Sequence, residues 1–91
     1  MAVHLISYDL MTPGKNYDVL IGAIRALGPW ARPLKSQWLV VSQATQTVLR
    51  DHLKQYIDAN DRLLIVTVDR QAWAAMNLPA EVAQWLHANV G

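Results

Sequence analysis

Hydrophobic residues open the chain in a strand-like run, Ala2-Val3-His4-Leu5-Ile6-Ser7-Tyr8, which ends on Asp9 and meets the turn residues Met11-Thr12-Pro13-Gly14. The period then changes. From Asn16 to Leu27 apolar residues fall at Tyr17, Leu20, Ile21, Ile24 and Leu27, the spacing of one helical face, with Asn16 as N-cap and Gly28-Pro29 as the stop. Two short strand-like runs follow, Trp30 to Leu34 and Gln37 to Val41, and Lys35-Ser36 between them predicts a hairpin. Pro33 confines the first of these runs to an edge or makes it irregular. Thr45 caps a second expected helix with apolar positions Val48, Leu49, Leu53, Tyr56 and Ile57. After the turn residues Asp58-Ala59-Asn60-Asp61, Arg62 to Val68 is the clearest strand of all. Pro79 then opens a last helix to about Asn89, striped by Val82, Trp85 and Leu86.

This order of elements predicts an α+β fold: a ferredoxin-like βαββαβ motif with an additional C-terminal helix and an antiparallel four-stranded sheet, as a single domain over residues 1–91. In such a fold two helices cover one sheet face and the other is open, so the strands should alternate. They do not. Leu39-Val40-Val41 and Leu63-Leu64-Ile65-Val66 are apolar on both sides, which predicts a covered second face. The C-terminal helix and a second subunit are the candidates, and a homodimer through the sheet is the economical choice.

Composition sharpens this picture. Hydrophobic residues make up 53% of the 91, high for so small a chain, and point to apolar surface shared with a partner. The absence of cysteine excludes disulfides, thiolate nucleophiles and cysteine-ligated zinc. No stretch reads as a signal peptide or a bilayer span, so the expectation is a cytoplasmic protein with no membrane partner. The net charge is only +1 and the basic residues are scattered, a weak footprint for nucleic acid. Lys15, Arg32 and Lys35 are the cations that the fold would have to gather on one side to make a nucleic-acid-binding surface.

Two short motifs carry a family resemblance. Ile6-Ser7-Tyr8-Asp9-Leu10 resembles the tyrosine-aspartate ending of the first strand in the CRISPR-associated Cas-two family. Ser36-Gln37-Trp38-Leu39-Val40-Val41 resembles that family's third strand. The likeness covers roughly the first seventy residues by element order, and the chain resembles small bacterial relatives described as SinR-like more closely still. It implies a homodimer in which strand-end aspartates of two subunits hold one divalent ion, Mg²⁺ or Mn²⁺, for cleavage of RNA or DNA. It also implies a second option, a structural DNA-binding subunit without chemistry. Carried over by position, the resemblance implies Asp9 from both subunits as the metal ligand, and Asp9 with its motif neighbour Tyr8 as the catalytic residues. The chain departs from the family after Asp9, where Met11-Thr12-Pro13-Gly14 precedes a single cation, Lys15, and again in its C-terminal helix.

Each candidate also has a plain structural reading. Two facing Asp9 carboxylates repel unless a cation lies between them, whereas a lone Asp9 caps the following turn. His4 reads as a packed histidine, and His52 and His87 as polar-face residues without metal spacing. Ser7, Ser36 and Ser42 lack a nucleophile elbow, Asp58 and Asp61 serve a turn, and Pro13-Gly14-Lys15 lacks phosphate-loop glycines. Trp30, Trp38, Trp73 and Trp85 either stack bases or anchor a core or interface. The favoured reading is a non-catalytic nucleic-acid-binding or protein-interaction module on a dimeric scaffold. The alternative is a metal-dependent endonuclease with paired Asp9, assisted by Tyr8 and Lys15.

Overall fold

A computed structural model describes residues 2–12 and 17–91. Its strands are β1 (Ala2–Asp9), β2 (Trp30–Leu34), β3 (Gln37–Ser42) and β4 (Arg62–Val68), and its α-helices are α1 (Asp18–Arg25), α2 (Gln46–Leu53) and α3 (Ala80–Asn89). Local chemistry explains most boundaries. The Thr45 hydroxyl accepts the Val48 N–H and starts α2 as expected. Beyond α2 the helix tightens into a 3-10 turn at Lys54–Tyr56, so Tyr56 and Ile57 pack from irregular backbone. Val48, expected on the apolar stripe, is exposed. At α1 the N-cap position is Tyr17, without a side-chain cap, and the expected cap Asn16 lies outside the described residues.

The four strands form one sheet in the order β2-β3-β1-β4, antiparallel at every step. Consequently β1 runs parallel to β2 with β3 between them, and β3 runs parallel to β4 with β1 between them. The helices α1 and α2 bridge these two split pairs. Pro33 has the consequence foreseen: β2 is an edge strand whose pairing with β3 shifts register between Ala31 and Leu34.

Alternation along β1 sorts the two faces. His4, Ile6 and Tyr8 point to one side and are buried with Trp38 and Val40 of β3, Leu20 and Ile24 of α1, and Leu53 of α2. Among the described residues, His4 is satisfied on one nitrogen only. The Thr67 hydroxyl gives its single proton to Gln46 Oε1 at 3.2 Å, so at 3.0 Å it accepts from His4 Nδ1–H. His4 Nε2 is buried and, among the described residues, has no hydrogen-bond partner.

The second face is covered in part by the chain itself. Leu86 of α3 and Val90 just past its end bury Leu39, with Val3, Leu5, Val68 and the loop residues Trp73 and Leu78 around them. The expectation that a second subunit covers this face is thereby reduced to its other half. There Leu64 is 61% and Val66 41% exposed, both on the edge strand β4. Among the described residues no helix is long and apolar enough to cross a membrane.

Candidate functional site

Of the residues singled out from sequence, Tyr8, Asp9, Arg32 and Lys35 lie toward the end of the sheet where β1 leaves it. Three connections meet there. The β2–β3 turn is tied to β1 by the Tyr8 N–H, which donates to the Ser36 carbonyl at 3.1 Å. The segment before β4 is tied to the residues after β1 through Asp61. Its carboxylate accepts the Met11 N–H at 2.7 Å, the Asp58 N–H at 2.8 Å and the Tyr17 hydroxyl at 3.1 Å, while the Thr12 hydroxyl donates to Asp58. Asp58 and Asp61 therefore serve the turn, as their spacing suggested, and Asp61 also clamps the β1 exit. Nothing in the local sequence pairs Tyr17 or Met11 with Asp61, because the contact closes across more than forty positions of chain.

Asp9 ends β1 on the half-covered face. Its Cα partner across the β1–β4 pairing is Arg62. The side chain is exposed and, among the described residues, forms no ion pair or hydrogen bond. A shallow cleft of about 290 Å³ lies beside it, lined by Ser7, Asp9, Arg62 and Leu64. Tyr8 points the other way and is buried. Its hydroxyl accepts the Trp38 Nε1–H at 3.0 Å and faces the Lys35 carbonyl at 3.5 Å, so the ring organises the core beneath the turn, although Tyr8 is also among the residues that line the Asp9 cleft.

A row of cations and indole rings runs along β2. The Arg25 guanidinium lies over Trp30 at 5.0 Å and Trp38 at 5.5 Å, and the Arg32 guanidinium lies over Trp38 at 4.7 Å. Trp30 meets Trp38 edge-on at 5.2 Å. Arg32 is further fixed by donating from Nε and Nη2 to the Lys35 carbonyl at 3.0 and 2.6 Å. None of Arg25, Arg32 and Lys35 forms an ion pair among the described residues. The outer ring, Trp30, remains 40% exposed.

Of the residues expected to bind nucleic acid, Arg32 and Lys35 thus stand together, and Lys15 lies outside the described residues, as does the rest of the Pro13-Gly14-Lys15 turn. Arg25 and Trp30 were not foreseen as partners of Arg32. The available signal was Arg25 in the last turn of a helix that stops just before Trp30. His52 and His87 are exposed, and among the described residues no group of three or more His, Cys, Asp or Glu is placed to hold a metal ion. Away from the site, on α2, a hydrogen bond from Arg50 holds the exposed Asp51 carboxyl below its usual range, with Lys54 also near. Compared with known proteins, the chain matches no family model and no solved structure.

Proposed function

We propose that this chain is a non-catalytic module that binds RNA or DNA, built on a ferredoxin-like, dimeric scaffold of the Cas-two-like or SinR-like kind. The row along β2 carries the reading: three cations without ion-pair partners among the described residues, beside a partly exposed indole. A phosphate backbone is attracted by cations that no acid neutralises, and an unstacked base finds an aromatic ring to rest on. The ferredoxin-like assignment is supported by α1 and α2 lying on one face and by the strand order β2-β3-β1-β4, with α3 added on the other face. The dimer is supported by the uncovered Leu64 and Val66.

Fluorescence anisotropy with labelled single-stranded RNA, single-stranded DNA and duplex DNA over a salt series tests the reading. Trp30→Ala is expected to cost about 1–3 kcal/mol of binding. Lys35→Ala is expected to flatten the slope of log K against log salt by about 0.7–0.9. Absence of saturable binding at low salt, or binding that neither variant changes, sinks the nucleic-acid reading and leaves a protein as the occupant of this row.

One observation favours the alternative, a metal-dependent endonuclease. Asp9 is exposed on the uncovered part of the second face, where a second copy would bring its own Asp9. Within one chain the donors do not fit Mg²⁺ or Mn²⁺: a single carboxylate stands beside Arg62, and no further acid joins it among the described residues. Incubation of RNA and DNA with the protein and with Asp9→Asn, with and without each cation, decides it. Cleavage equal in both proteins, or none in either, removes this reading.

A further inference from the structure

A second concavity lies on the α3 side of the sheet, distinct from the Asp9 cleft and reaching β2 at Pro33 and Leu34. It holds about 370 Å³ between the sheet, α3 and the loop after β4, near the lower end of the ~300–1,000 Å³ typical of small-ligand sites. Leu5 and Leu39 form its floor, Leu86 and Trp73 its walls, and the strongly exposed Met76 stands at its mouth. The loop side is anchored. Trp73 Nε1 donates to the Gly91 carbonyl at 3.0 Å, and the Gln71 N–H donates to the Val90 carbonyl at 3.1 Å.

Among the described residues the lining contains no Lys, Arg, His, Asp or Glu, and its polar side chains include the carboxamides of Gln37 and Gln71. Water filling such a space finds few partners, since a well-held water makes about two to four hydrogen bonds. An apolar molecule displaces it at little cost. A carboxylate or phosphate would enter without a counter-charge, which desolvation penalises. From this geometry we infer that the α3 cavity is a binding site for a neutral, mainly apolar small molecule carrying one hydrogen-bonding head, the class of a medium-chain aliphatic amide or alcohol. The head bonds to a carboxamide, and the chain lies between Leu39 and Trp73.

The experiment uses the full chain and the neutral fluorophore N-phenyl-1-naphthylamine, displaced in turn by decanamide and by decanoate. Saturable uptake at one site is expected, with decanamide displacing the probe at least about tenfold more effectively than decanoate. Ala75→Phe, which adds a ring to an exposed lining position, is expected to weaken the probe by about tenfold, and Val48→Asn, which removes an exposed apolar residue elsewhere, to leave it unchanged. In a ¹⁵N-labelled sample the Trp73 indole N–H is expected to shift on adding decanamide, and the Trp30 indole to stay in place; this readout stands even if Ala75→Phe fails to fold. Uptake without saturation, equal displacement by decanoate, equal loss in both variants, or a static Trp73 signal would falsify the inference. Exclusion of the probe as the protein dimerises would assign the cavity to a second copy and also overturn it.

Discussion

At Gly28 the backbone stands at φ 157°, and a Cβ built there would run into the Val41 carbonyl oxygen. The same stretch lays the Pro29 carbonyl against the Val41 N–H at 2.9 Å, joining the end of α1 to β3 before β2 begins. Gly28→Ala is therefore expected to destabilise the fold by roughly 1–3 kcal/mol, read as a fall in Tm of roughly 4–8 °C per kcal/mol for a domain of this size. An unchanged Tm would show that the α1–β2 connection relaxes without cost. Asp61 makes a second residue-scale case. Asn keeps the shape but turns one oxygen into a donor, so one of the two backbone N–H groups at Met11 and Asp58 faces another N–H. Asp61→Asn is expected to cost about 1.5–3 kcal/mol and Tyr17→Phe, which removes one hydroxyl from the same carboxylate, closer to 1 kcal/mol, in chemical denaturation. The reverse ranking would mean that the backbone bonds matter less than the hydroxyl.

At the scale of elements, what was legible was whatever local chemistry decides. The Thr45 cap, the Pro33 edge and the β4 run all sit where their residues place them. Thr45→Ala is expected to remove about 1 kcal/mol by leaving the Val48 N–H without its acceptor, seen as a matching loss in urea midpoint at constant m. Long-range placement was not legible. Apolar residues on both sides of β3 and β4 required a cover, and the choice between α3 and a second chain depends on where the loop after β4 turns back. Sequence spacing is silent on that. The site followed the same division. Asp9 at a strand end and Arg32 beside Lys35 were readable, because strand position and hairpin adjacency are local. The stacking of Arg25 over Trp30 and Trp38 depends on how α1 lies on the sheet, and that is a tertiary fact.

At the scale of the whole molecule the two sheet edges differ in how they are protected. β2 carries Pro33 and a register irregularity, devices that keep an edge from recruiting another strand, and α1's Arg25 and its own Arg32 lie against the rings beside it. β4 has no proline, and between Arg62 and Asp69 it has no charged residue. It presents Leu64 and Val66 on the face that α3 leaves bare. A stable pair of chains needs about 800 Å² from each partner, so contact would have to spread from this strip toward Ser7, Asp9 and Arg62. If it does, light scattering at micromolar concentration should give twice the chain mass. The double variant Leu64→Lys with Val66→Lys should then return it to the single mass, with its far-ultraviolet circular dichroism retained, because both side chains already face solvent in one chain. A monomeric wild-type mass, or a dimer indifferent to both lysines, would remove this strip as the interface. A monomeric mass would remove the paired Asp9 as well, leaving that carboxylate as a strand-end residue beside Arg62. The row along β2 would be untouched by either result, since Arg25, Trp30, Arg32 and Lys35 all come from one chain.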